Sequence, residues 1–250
     1  MLKLLTIEWQ KIKPYTFFWL FTGVYFFMLF AVFYIAYHLM EINGIKTSSI
    51  SWHGMTYISG YLNFFLVLLV ILYSTNEYQF NTYRQNVIDG LSRRQIFFSK
   101  LLINLGIAIY STLSLFVLFI IFSLISPDSL SIEAFSNEIY YLFYHFIKCF
   151  CLLSIAYFLS LVLKKGIISI LFFVVVWMVD VVISMATNTT ILELLPFSSC
   201  GNLIINPMPA LPIGYSDLPS ESNILYSVIF YVLLFNALSF WWLTKKDLRA

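Results

Sequence analysis

Phe17 to Met40 reads FFWLFTGVYFFMLFAVFYIAYHLM, 24 residues with no Asp, Glu, Lys or Arg. At 1.5 Å of rise per residue, about 20 apolar residues cross the hydrocarbon core of a bilayer. This stretch is therefore read as a membrane-spanning helix. Five more stretches meet the same requirement: 55–75, 96–125, 139–163, 166–186 and 223–244. None alternates apolar and polar residues as a barrel strand would. The composition agrees. The chain is 61% hydrophobic and 10% charged, whereas an ordinary soluble domain is about 25% charged. These features exclude a soluble enzyme, a nucleic-acid binder and a disordered chain. The expected fold is all-α, a single transmembrane domain over 1–250 with six spanning helices.

Orientation follows from the placement of Lys and Arg. With the amino terminus inside, the inner segments hold 12 of the 14 basic residues, and only Lys46 falls outside and Lys148 within a span. Glu41, Asp128, Glu133, Glu138, Glu193, Asp217 and Glu221 all fall outside. Both termini are thus expected in the cytoplasm. A cleavable signal peptide has an apolar core of about 7–15 residues, which the first span exceeds. Cys149 and Cys151 lie in an apolar run and Cys200 in the outer segment. All three read as structural or incidental, and neither a disulfide framework nor a metal site is expected.

Two inner stretches are patterned beyond what topology needs. In Leu2–Lys13, Leu2, Leu5, Trp9 and Ile12 fall at helical spacing on one side, before Pro14. That pattern predicts an amphipathic helix lying at the membrane surface. The inner loop, 76–95, opens the run NEYQFNTYRQNVIDGLSRRQIFFSK that ends at Lys100. A short helix is expected from Tyr78 to Asp89, with Gly90 as its stop. Ser92 and Gln95 have capping-box spacing for the next helix. Arg84, Asp89, Arg93 and Arg94 would face the cytoplasm, as a docking surface for a partner.

The runs KLLTIEWQKIK and EYQFNTYRQNVIDGLSRRQIFFSKLL resemble the type-two ABC exporter permeases, a family that includes multidrug and lantibiotic-immunity members. Glu77, Thr82, Arg84, Ser92, Arg93 and Lys100 occupy the family's motif positions, and Asn81 stands where the family often has Gly. The resemblance implies an amino-terminal elbow helix, six spans and a coupling loop at 76–95. It also implies an outer capping segment at 187–222. The membrane would be the plasma membrane of a prokaryote. The loop from Tyr83 to Arg93 would dock a separate cytoplasmic ATPase, which carries ATP and Mg. A second permease chain, identical or similar, would complete the transporter. The chain has no G-x-x-x-x-G-K-[ST] phosphate loop and is expected to bind no cofactor itself. No nucleic-acid partner is expected.

Two charges lie deep in the spans. Lys148 is in the fourth and Asp180 in the fifth, joined by the short turn at Lys164–Lys165. Unpaired, each is costly in a bilayer. An ion pair between them is the expected arrangement, with a structural role in holding the hairpin together preferred to a substrate-binding one, and the alternative is that Lys148 snorkels outward. The outer segment carries Pro196, Pro207, Pro209, Pro212 and Pro219 within an otherwise apolar run. It reads as a short re-entrant or interfacial hairpin, or as a loop packed on the helix ends. An intramembrane enzyme is the rival class. His38, His53 and His145 are scattered and form no HExxH pattern, which gives that class little to work with. A non-transporting anchor or sensor subunit of an ATPase complex is a third reading.

Overall fold

The structure is a computed structural model that describes residues 2–42, 52–125, 139–186, 195–204 and 221–245. Glu41, present at the end of a helix, is the one outer-segment acid besides Glu221 among the described residues. Lys46, Asp128, Glu133, Glu138, Glu193 and Asp217 lie outside them.

The first helix, α1 (Leu2–Ile12), ends because Pro14 has no N–H to continue it. The chain turns through Tyr15, whose N–H donates to Ile12 O at 2.9 Å, into α2 (Thr16–Ile42). Next come α3 (Trp52–Gln79), the short α4 (Thr82–Ile88) and the long α5 (Arg93–Ile125). The hairpin of α6 (Tyr140–Leu163) and α7 (Gly166–Ala186) follows. A short helix of about two turns, α8 (Pro196–Asn202), precedes the last helix, α9 (Glu221–Lys245). Among the described residues every regular element is helical, and six helices are long and apolar enough to cross a membrane.

The helix α6 is the centre of the bundle. It packs against α3, α5, α7, α8 and α9, and Cys149, Cys151, Ala156 and Leu161 on it are fully enclosed. Lipid is as apolar as these side chains, so close packing rather than water exclusion holds such helices together. The small residues Cys149, Cys151, Ser154, Ala156 and Ser160 let the neighbouring backbones approach. By contrast, α7 presents Leu171, Val175, Met178 and Val182 outward. Lys164 closes the α6–α7 hairpin in the left-handed region at φ 57°, its N–H donating to Ser160 O at 3.0 Å.

The break in the inner loop lies earlier than the sequence predicts. No single helix runs from Tyr78 to Asp89. Instead α3 continues to Gln79, and the chain reverses at Asn81, which sits at φ 55°, ψ 21°. Asn tolerates this left-handed conformation, so it serves where glycine would be the default. Gly90, at φ 93°, then ends the short helix. Ser92 and Gln95 form a reciprocal capping box: Ser92 N–H donates to Gln95 Oε1 at 2.9 Å, and Gln95 N–H to Ser92 Oγ at 3.3 Å. The antiparallel order gathers α1, α4 and the Lys164 turn at one end of the bundle. The α8 helix lies at the other.

Candidate functional site

At the α4 end, four elements meet on a buried ionic cluster. Lys100 of α5 is 2% exposed. Its Nζ donates to Glu8 Oε2 of α1 and to Glu77 Oε1 of α3, both at 2.6 Å. It also lies 4.5 Å from the centre of the Tyr73 ring. Tyr73 OH donates to Glu8 Oε2 at 2.7 Å, and Ser99 Oγ donates to Glu8 Oε1 at 3.3 Å. Lys11 Nζ donates to Glu8 Oε1 at 3.1 Å and to Asn86 Oδ1 of α4 at 3.3 Å. Two carboxylates and two ammonium groups balance, so the cluster is neutral as a whole. Burial alone would raise the Glu8 carboxyl. The charges of Lys100 and Lys11, with hydrogen bonds from Lys100 and Tyr73, instead hold it down at about 2. Glu8 therefore stays ionised at physiological pH, and the cluster fastens α1 and α4 to α3 and α5.

The inward face of α1 carries a charge as well as an apolar side chain. Glu8 and Ile12 are buried, whereas Trp9 is 53% exposed and meets the edge of Trp19 at 6.2 Å. The side chains of Leu2 and Leu5 lie outside the described residues. Sequence patterning missed Glu8 because the helix was read for its apolar side. The available signal was the spacing of Glu8, Lys11 and Ile12, which puts them on one face.

The residues expected to dock a partner divide into two sets. Arg84, Asp89, Ser92 and Arg94 are exposed, and Thr82 is half-buried. Arg93 is half-buried and donates from Nη1 to Thr244 O of α9 at 3.1 Å. Glu77 and Tyr83 are buried, Glu77 in the ionic cluster and Tyr83 against Tyr78 with ring centres 4.5 Å apart. They support the loop from behind and are not part of its surface. Burial raises the Tyr83 hydroxyl far above its ordinary range, so it stays neutral. The loop's outer face also carries Phe80, 75% exposed, and Ile88, 74% exposed, with Val87 beside them. The sequence reading did not single out these apolar residues.

In mid-bundle a polar seam crosses four spans. Ser111 Oγ lies 2.7 Å from Tyr25 OH, 3.0 Å from Asn63 Oδ1 and 2.9 Å from His145 Nε2. His145 Nδ1 is 3.2 Å from Ser59 Oγ. Tyr25, Ser59, Asn63, Ser111 and His145 are all buried. Such bonds satisfy polar groups that lipid cannot.

At the α8 end, the expected ion pair between Lys148 and Asp180 is not formed. Asp180 is committed elsewhere. Its carboxylate accepts from Phe197 N–H at 2.9 Å, from Ser198 N–H at 3.0 Å and from the Ser198 hydroxyl. Pro196 is the first residue of α8 and has no N–H, so Phe197 and Ser198 supply the first free donors of that helix. Asp180 caps them from α7, with its negative charge at the positive end of the helix. This contact pins α8 against α6, α7 and α9. Cys200 on α8 is consequently buried and does not lie on an open loop. The remainder of the outer segment falls mostly outside the described residues.

Lys148, released from Asp180, lines a cavity of about 280 Å³ between α3, α6, α7 and α8. Among the described residues no group of three or more His, Cys, Asp or Glu side chains is placed to hold a metal ion.

Residues 4–180 match the sequence model of a family described as ABC-2 family transporter protein. No curated protein matches the chain, and no solved structure does.

Proposed function

Because the chain belongs to the ABC-2 family of transporter proteins, we propose that it is the permease subunit of an ATP-driven exporter. Its cargo would be a lipid, an amphipathic peptide or a hydrophobic small molecule. A separate cytoplasmic ATPase, carrying ATP and Mg, docks on the 76–95 loop. A second permease chain completes the two-fold assembly, as a homodimer or with a similar chain. In this reading the α4 end faces the cytoplasm of a prokaryotic cell, with both termini on that side; the concentration of Lys and Arg at that end supports the orientation.

One observation carries the docking claim. Phe80, Val87 and Ile88 are exposed on a short polar loop, beside Arg84 and Arg94. An apolar patch rimmed by charge is the common form of a protein–protein contact. The loop is also built to transmit force. Its helix is tied through Asn86 and Lys11 to the Glu8–Lys100–Glu77 cluster. A push on α4 therefore reaches α1, α3 and α5 together. In this reading α1 is the elbow helix, and Trp9 anchors it in the headgroup region.

Affinity purification of the chain from its host membranes tests the reading. The expected result is a co-purifying soluble subunit with a phosphate-loop motif. Changing Ile88→Glu and Arg84→Glu together should remove it while the chain remains inserted in the membrane. An association unaffected by both changes would place the docking surface elsewhere.

A further inference from the structure

The cavity beside Lys148 has the features of a site for an anion carried on an apolar body. Lys148 is 4% exposed. Among the described residues its Nζ makes no hydrogen bond and no ion pair. Its Nζ lies over the face of Tyr61, 5.5 Å from the ring centre. Asp180, the natural counter-ion, is occupied in capping α8. A cation–π contact offsets only part of what burying an ammonium costs. The position counted from the start of α6 puts Lys148 about 12 Å along the helix, well inside the membrane. A cation kept at that depth without a protein counter-ion marks a candidate binding site.

The surroundings are shaped for that ligand. A Cβ added at Gly60 would lie 2.6 Å from Lys148 Nζ. Glycine at this position thus lets the ammonium rest against the α3 backbone and face the cavity. The remaining wall is largely aromatic, with Phe64, Trp177 and Phe197. Tyr61 and Trp177 are also exposed on the outside of the bundle, at 56% and 41%. They form a rim between α3 and α7 that opens sideways to the bilayer. The volume admits a headgroup, and a tail would leave over this rim into lipid.

We propose that the cavity between α3, α6, α7 and α8 binds the carboxylate or phosphate headgroup of an amphiphile, with Lys148 as its counter-ion. This names a substrate class for the transporter, and it rests on the permease reading only in calling the ligand a substrate. The same chemistry belongs to a transported amphiphile and to a resident anionic lipid.

The test is binding to the purified chain alone, by native mass spectrometry, with oleate, dioleoyl phosphatidylglycerol and dioleoyl phosphatidylcholine as probes. The wild-type chain should bind one or both anionic probes about tenfold or more tightly than the zwitterion, as expected for a charge-assisted hydrogen bond in a dry site. Lys148→Met should erase the preference, Lys148→Arg should keep part of it, and Gly60→Ala should weaken it by displacing Nζ. Equal binding of all three probes by the wild-type chain overturns the proposal without any variant having to fold. So does a preference that survives Lys148→Met. No ATPase is present, so failure here leaves the docking claim untouched, and failure of docking leaves this result untouched. In the assembled complex, a Lys148-dependent rise in ATP turnover with oleate identifies a transported ligand. Binding with unchanged turnover identifies a resident lipid. Both support the site.

Discussion

Removing Lys100 should expose how much the ionic cluster contributes. Lys100→Met keeps the length of the side chain and deletes the charge. It leaves Glu8 and Glu77 facing each other, with Lys11, 3.1 Å from Glu8 and 3.6 Å from Glu77, as their one remaining cation in the cluster. Breaking a buried pair from one side costs about 3–5 kcal/mol. Against the upward push of burial, the charges of Lys100 and Lys11 hold the Glu8 carboxyl down at about 2, so the effect has the same direction. The sign follows from the depressed value. The contribution is fully present above pH about 4.5 and is lost as pH falls toward 2. A loss of about 3 kcal/mol is roughly a 150-fold shift in the unfolding equilibrium. Detergent-driven unfolding of Lys100→Met, Glu8→Gln and the double variant, followed by tryptophan fluorescence, measures it. The double variant should be more stable than the sum of the single losses predicts, with a coupling of about 1–3 kcal/mol. Additive losses, or a Lys100→Met penalty below about 1 kcal/mol, would refute the claim that these helices are fastened by this pair.

Three further outcomes follow from local geometry. Asn81→Gly should leave stability nearly unchanged, while Asn81→Val should lose about 1–2 kcal/mol because a branched side chain resists φ 55°; the same unfolding assay reads both. Asp180→Ala leaves two amide donors of α8 without their acceptor, at about 1–3 kcal/mol each. It should release α8, and Cys200, 1% exposed in the wild type, should become reactive to maleimide. Ser92→Ala removes the capping box and should cost about 1 kcal/mol, most directly seen as faster amide exchange at the start of α5.

What could be read from sequence was local. Uninterrupted apolar runs reveal the six long helices because lipid demands that each satisfy its own backbone. Ser92 and Gln95 announce their cap because both partners lie within one turn. Lys164–Lys165 announce a hairpin because too few residues remain for anything longer. Pairing between helices was not readable. Lys148 and Asp180 share a hairpin and a similar depth, yet each helix is free to rotate about its axis. The donors that Asp180 found belong to Phe197 and Ser198, 17 and 18 residues on, after a segment whose return no periodicity reports. The same limitation hid the ionic cluster. Glu8, Glu77 and Lys100 come from three separate stretches, and each looks like an ordinary surface charge in its own window. The position of the loop break depended on Asn81, whose left-handed geometry a scan for glycine passes over.

The central claim is that α4 is where an ATPase delivers its work. A photo-crosslinking amino acid placed singly at Phe80, Ile88 and Leu124 tests it in intact membranes. All three positions are more than 70% exposed, and Leu124 lies near the opposite end of the bundle. The predicted result is a crosslink from positions 80 and 88 to a soluble subunit carrying a G-x-x-x-x-G-K-[ST] motif, and none from position 124. No such subunit at 80 or 88, or equal capture from all three positions, would contradict the account.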